Sequence, residues 1–212
     1  DDFNYLINGL TKYQIIIIPG NHDANLNNSD DIDLLTPVLN HKNIHYIKDS
    51  GFYELENLTF YHISIFDKST NTQLEHFTSD PKFKDVILLY HGMINYEIFG
   101  VHTVRDARIT KKVINNFKLV LAGDIHQYQK ITPTVAYCGS LIQQNLGESN
   151  EKGFLLWDLD NLSSKFIRVN NKKGFLRIDL RGKSSDECDA IIASAKVDAP
   201  PELIKLSIIT DT

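Results

Sequence analysis

Three short apolar runs constrain the fold most, because each stops in a turn carrying side chains that bind metals or move protons. The first, Ile15-Ile16-Ile17-Ile18, is too short and too β-branched to favour a helix, and reads as a buried strand closed by Pro19-Gly20. Asn21, His22 and Asp23 follow immediately. A second run, Asp85-Val86-Ile87-Leu88-Leu89-Tyr90, ends in His91-Gly92, and a third, Lys118-Leu119-Val120-Leu121-Ala122, ends in Gly123-Asp124-Ile125-His126. In open α/β sheets, ligands and catalytic groups collect at the carboxyl ends of strands. A lone Asn-His-Asp turn is most simply a cap for the next segment. Three such strand ends in a chain with eight His are hard to attribute to chance.

Around these runs the sequence alternates between helical and extended patterns. Phe3, Leu6, Ile7 and Leu10 have helical spacing, and a short helix is expected over residues 32–39 after an Asn-, Ser- and Asp-rich loop at 25–31. Strands are expected at 44–47, 51–55 and 58–66, with Glu56-Asn57 as a tight hairpin turn. His45 and His62 lie in these strands as packed or surface residues. Residues 71–77 make at best a weak helix, 93–108 a loop, and 110–117 a helix with Thr110 as N-cap. Further strands are expected at 135–138, 153–158 and 165–169, the last two a hairpin through Asp160-Asn161. The polar, cationic linker Asn170-Asn171-Lys172-Lys173-Gly174 then separates residues 1–170 from a small βαβ unit at 171–212, whose helix is capped by Ser185 or Asp186. The fold class is therefore α/β, a larger layered domain with a small appendage.

Composition narrows the function classes. A formal net charge of −5 and a pI near 5.9 argue against non-specific electrostatic binding of nucleic acid as the main activity. A nuclease stays open, since bound divalent metals reverse the local field that a phosphate meets. Cys138 and Cys188 are too few for a disulfide framework, which favours an intracellular compartment. No apolar stretch is long enough for a membrane span. The chain opens inside an element and without an initiator Met, as expected of a piece of a longer protein.

Together the strand ends assemble Asn21, His22, Asp23, His91, Asp124 and His126. A mixed set of imidazole, carboxylate and amide oxygen suits Mn²⁺, Fe²⁺ or Zn²⁺ better than Mg²⁺ or Ca²⁺. Such a set is about what two metals need, and paired metals roughly 3.5–4 Å apart drive in-line displacement at phosphorus. Phosphoester hydrolysis is the expected reaction. His102, Arg105 and Arg108 fall in the loop before the third run, where Arg105 and Arg108 are candidates for holding a phosphate backbone.

Gly20-Asn21-His22-Asp23, His91-Gly92 and Gly123-Asp124-Ile125-His126 resemble the third, fourth and fifth signature motifs of the calcineurin-like metallophosphoesterases. Tyr137-Cys138-Gly139-Ser140, Gly147-Glu148 and Lys152-Gly153-Phe154 resemble the stretch that follows in the SbcD-type and meiotic-recombination-eleven-type DNA repair nucleases. The resemblance implies a layered β-sandwich flanked by helices, present in part, with the βαβ unit placed like a capping domain. It implies that Asn21, His91 and Asp124 hold one metal and that His126 helps hold the other. His22 is then the proton donor to the leaving oxygen, with Asp23 orienting it. The activity implied is Mn²⁺-dependent 3′-to-5′ exonuclease and single-strand endonuclease action on DNA, with Fe²⁺, Zn²⁺ and Mg²⁺ as alternative cofactors. An SMC-type coiled-coil ATPase is the implied partner, and a homodimer the implied full-length state.

Two departures from the pattern matter. Asp124 stands where the fifth motif normally begins with His, and the first two motifs, which supply the bridging carboxylate, are not among these residues. The isolated segment is accordingly expected to be inactive. Rival readings are a metallophosphatase or phosphodiesterase with a non-DNA substrate, and a non-catalytic DNA-repair scaffold module.

Overall fold

A computed structural model describes residues 5, 8–24, 33–36, 41–95 and 109–211. The loop at 25–31, His102, Arg105 and Arg108 lie outside the described residues, as do the ends of the helix expected over 32–39. Residues 33–36 form a bridge position, bends and a turn rather than helix. The fold is mixed α/β, and the chain divides into two compact units, residues 1–124 and 125–212. The 170–174 linker therefore falls inside the second unit.

In the first unit, β1 (Ile15–Ile17) pairs in parallel with β2 (Ile44–Tyr46), Ile16 opposite His45. All three residues of β1 are half-buried, and among the described residues it pairs only in this two-stranded sheet, so the run expected to be buried is only half so. The hairpin of β3 (Gly51–Leu55) and β4 (Leu58–Ile63) turns at Glu56, whose φ of 55° sits in the left-handed region. After α1 (Asn71–Thr78) and a 3-10 turn at Pro81–Asp85 comes β5 (Ile87–His91). The short parallel pair β6 (Ile94–Asn95) and β7 (Ile109–Thr110) leads to α2 (Lys111–Ile114) and β8 (Leu119–Gly123). Strands run in the order β3-β4-β5-β8, with β4, β5 and β8 parallel and β3 antiparallel.

The apolar runs behave as expected of strands covered on both faces: Ile87, Leu88, Leu89 and Tyr90 are all buried. Register places Tyr61, Leu88 and Val120 on one face, and His62, Leu89 and Leu121 on the other. Against the first face sits an aromatic cluster in which Phe83, fully buried, lies 5.1–5.4 Å from the rings of Phe52, Tyr61, Phe77 and Phe117. Local signals fix the covering helices. A capping box of Thr70 and Gln73 starts α1, making it a firmer helix than its composition suggests. Thr110 precedes α2 without a side-chain cap, and its hydroxyl donates to Glu75 Oε1 at 2.7 Å. α2 has four residues where eight were expected.

The second unit is built from three pairs. In the first, β9 (Gln129–Thr132) and β10 (Val135–Tyr137) are antiparallel across Pro133-Thr134. β11 (Gly153–Asp158) and β12 (Ser163–Arg168) form the expected hairpin, its turn held by Asp158, which accepts from Asp160 N and Asn161 N. β13 (Lys173–Asp179) and β14 (Glu202–Ile209) are parallel and joined by α3 (Ser185–Asp198), the expected βαβ unit. The cap of α3 is Ser184, one residue earlier than expected, in a capping box with Glu187.

One buried group makes the first unit sensitive to acid. His62 is fully buried, its Nδ1–H donating to the Asp49 carbonyl at 3.1 Å and its Nε2 without a hydrogen-bond partner among the described residues. Burial pushes its pKa down from 6.5 to about 4, against the opposing pull of Asp49 and Asp67. The unfolded chain therefore takes up a proton near the ordinary value, whereas the folded chain resists until about pH 4. The contribution of His62 to stability is complete above the ordinary value and is lost as the pH falls toward 4, by about 3 kcal/mol over that window. Urea midpoints at neutral pH and at about pH 5 are expected to differ less in His62→Leu than in the wild type.

Candidate metal centre

The turn after β1 is closed from both directions. Asp23 N–H donates to the Gly20 carbonyl at 3.0 Å, and Gly20 N–H donates to Asp23 Oδ2 at 2.9 Å. Pro19 and Gly20 are buried, while Asn21 and His22 are exposed. The carboxylate of Asp23 thus shapes the turn that carries His22.

His91 ends β5 directly opposite Gly123 of β8. Its imidazole lies against two glycines: a Cβ on Gly20 would stand 2.8 Å from His91 Cε1, and one on Gly123 would stand 3.1 Å from His91 Nδ1. Only a residue without a side chain permits so close an approach at Gly20. The ring's Nε2 faces Asn21 Oδ1 at 3.1 Å and Asp124 Oδ1 at 3.7 Å. An imidazole nitrogen, an amide oxygen and a carboxylate oxygen therefore converge from the ends of β1, β5 and β8. Asp124 reaches this position with φ at 97°, a conformation an L-residue rarely adopts. Strain of this kind costs of the order of 1–3 kcal/mol and clusters at functional sites.

His126 stands in the second unit, in a cluster of its own. Its Nδ1 lies 2.9 Å from Glu148 Oε1, and Glu148 Oε2 lies 2.6 Å from Lys152 Nζ. Lys152, 2% exposed, also donates to the His126 carbonyl at 3.0 Å and to Ser140 Oγ at 2.9 Å. Burial works against ionisation of Glu148, but Lys152, then His126 and the Gln144 N–H, outweigh it and bring the pKa down to about 2. Gly139, at φ 78°, makes the turn that delivers Ser140, whose N–H donates to the His126 carbonyl at 3.2 Å.

The sequence-predicted residues thus fall into three groups. Asn21, His91 and Asp124 are brought together, with His22 and Asp23 on the same turn as Asn21. His126 is placed with Glu148, and Arg105 and Arg108 are outside the described residues. Among the described residues, no three His, Cys, Asp or Glu side chains form a group able to hold a metal ion; the first-unit set has two, completed by the Asn21 amide. Sequence reasoning had Glu148 and Lys152 only as marks of resemblance and gave them no role. They lie in a loop, where a spacing of four residues does not announce an ion pair as it would on a helix face. Asp33 was missed altogether: its buried carboxylate accepts from Leu35 N, Thr36 N and Thr36 Oγ1 and pairs with Lys48 at 3.0 Å.

Among the described residues, no helix is long and apolar enough to cross a membrane. No family model matches the chain. It is similar to the uncharacterized protein R555 of Acanthamoeba polyphaga mimivirus, 35% identical over 181 residues that cover 78% of this chain. The matched stretch is 13% of that viral protein, so the chain spans a small part of the relative's length.

Asp124 is the place where strain and ligand chemistry can be separated. Asp124→Gly and Asp124→Ala both remove the carboxylate, but only Gly relieves the positive φ. Denaturant unfolding is expected to find the Gly variant more stable than the Ala variant by about 1 kcal/mol. Equal stabilities would show that the backbone at Asp124 is unstrained.

Proposed function

We propose that the chain belongs to a metal-dependent phosphodiesterase acting on DNA, releasing nucleotides from 3′ ends and cutting unpaired strands. The observation that carries this reading is the convergence of Asn21 Oδ1 and Asp124 Oδ1 on His91 Nε2 at the ends of separate strands. The donor set is that of a borderline divalent ion, and Mn²⁺ is the expected occupant, held by Asn21, His91 and Asp124. When bound, such an ion supplies positive charge against the developing charge on a phosphoryl group.

The chain's own residues then divide the work. His91, pinned by Gly20 and Gly123, keeps Nε2 aimed at the two oxygens. His22, exposed on a turn fixed by Asp23, protonates the leaving oxygen. In the second unit, a concave surface of about 500 Å³ includes Arg168, Lys172 and Lys173 among its lining residues, suited to the phosphates of a nucleic acid strand. A non-DNA phosphoester is the second reading, favoured by the net charge of −5.

The test uses the protein at its full length, with Mn²⁺ and end-labelled DNA. Nucleotide release from the 3′ end is expected, and a protein inert on DNA that still hydrolyses a small aryl phosphodiester would establish the second reading. His22→Asn is expected to lower kcat roughly 10²–10⁴-fold with Mn²⁺ affinity intact. His91→Asn is expected to weaken Mn²⁺ binding itself, measured by calorimetry.

A further inference from the structure

The geometry points to Glu148 as a positioning residue that, locked in place by Lys152, holds the proton of His126 on Nδ1 and so presents Nε2 as the lone pair. The inference rests on the proposed phosphodiesterase only for what Nε2 meets, a divalent cation.

An ionised carboxylate accepts hydrogen bonds and donates none, so the 2.9 Å contact between Glu148 Oε1 and His126 Nδ1 requires the proton to be on that nitrogen. Which imidazole nitrogen carries the proton is set by the partner of the other, and here the partner is fixed. Glu148 is the carboxylate half of an ion pair with the buried Lys152 ammonium, 2.6 Å from Oε2, and so accepts from His126 and has no proton to give it. It cannot swing away either. Lys152 Nζ and the Gln144 N–H bond Oε2, while Asn145 Nδ2 joins His126 Nδ1 at Oε1.

Lys152 has no chemistry of its own left to perform. Its donors go to Glu148, the His126 carbonyl and Ser140 Oγ, so both the backbone and the ring of His126 are tied to the same ammonium. A buried ion pair is a poor device for stability, because desolvation of the two charges offsets their attraction and apolar replacements are often as stable. Its retention around His126 is explained by what it does to that ring. The ring is left 37% exposed with its Nδ1 edge engaged, and a cavity of about 100 Å³ lined by His126, Gln127, Glu148 and Glu151 lies beside it. Carboxylate–imidazole pairs of this kind orient metal-binding histidines and raise their basicity.

The test is a two-bond ¹⁵N–¹H correlation spectrum of the imidazoles of the ¹⁵N-labelled chain at about pH 8, where a histidine is neutral. His126 is expected to show the Nδ1–H pattern. In Glu148→Gln the carboxamide can donate to Nδ1, so the pattern is expected to reverse to Nε2–H. Mn²⁺ affinity, by calorimetry on the full-length protein, is expected to fall roughly 10–100-fold. A residue that only supports the fold would lower stability in this variant without reversing the tautomer. An Nε2–H pattern in the wild type overturns the inference whatever the protein does to DNA, and decides the matter even if Glu148→Gln does not fold. The reversal without any change in Mn²⁺ affinity upholds the positioning role while removing the cation from Nε2, and with it the two-metal reading.

Discussion

The candidate centre depends on the register between β5 and β8. His91 opposite Gly123 is the last rung of a parallel ladder that also pairs Ile87 with Leu119 and Leu89 with Leu121. Because side chains alternate faces, a slip of β5 by one residue would move its side chains to the opposite face of the sheet and turn His91 away from Gly20. Both faces of these strands are buried, so it is the close packing around the fully buried Leu88, Leu119 and Val120 that opposes the slip. Burying each such side chain contributes about 1.5–3 kcal/mol. The core therefore does more than hold the sheet together: it sets the angle at which an imidazole leaves it.

The two histidine sites reach fixed orientation by opposite means. His91 is confined sterically, between glycines that bring backbone against the ring, and its oxygen partner Asp124 is held in a strained conformation. His126 is confined electrostatically, through an ionised carboxylate and a buried ammonium. The first device needs tight packing and tolerates no added volume at Gly20. The second needs every donor and acceptor matched, because an unmatched charge at the depth of Lys152 is strongly destabilising.

Much of the sheet was legible because burial on both faces leaves continuous apolar runs, as in Val86 to Tyr90 and Leu119 to Ala122. The same rule misjudged Ile15 to Ile17, where apolar character signals strand but the two-stranded sheet with β2 leaves it half-buried. β9 escaped notice because Gln129-Lys130-Ile131-Thr132 has one apolar residue, and its pairing depends on β10. The strength of α1 was legible in principle from Thr70 and Gln73, whereas the bond from Thr110 to Glu75, 35 residues away, was not. Site residues showed the same division. Strand ends announced Asn21, His91 and Asp124, but nothing local says that a buried Lys152 reaches back 26 residues to the carbonyl of His126.

That reach limits how the second unit can diverge. A single ammonium binds atoms from residues 126, 140 and 148, which places three chain segments at fixed distances from one nitrogen. An inserted or deleted residue between Ser140 and Lys152 would have to be absorbed without moving any of the three. Even Leu141-Ile142, whose side chains are exposed, is tied through its backbone, since the Ile142 carbonyl accepts from Ser140 Oγ at 2.8 Å and the Leu141 carbonyl from Asn171 Nδ2 at 2.7 Å. Length variation among descendants of this sequence should therefore be rare between Ser140 and Lys152, and the spacing from Glu148 to Lys152 should stay constant even where the surrounding residues drift.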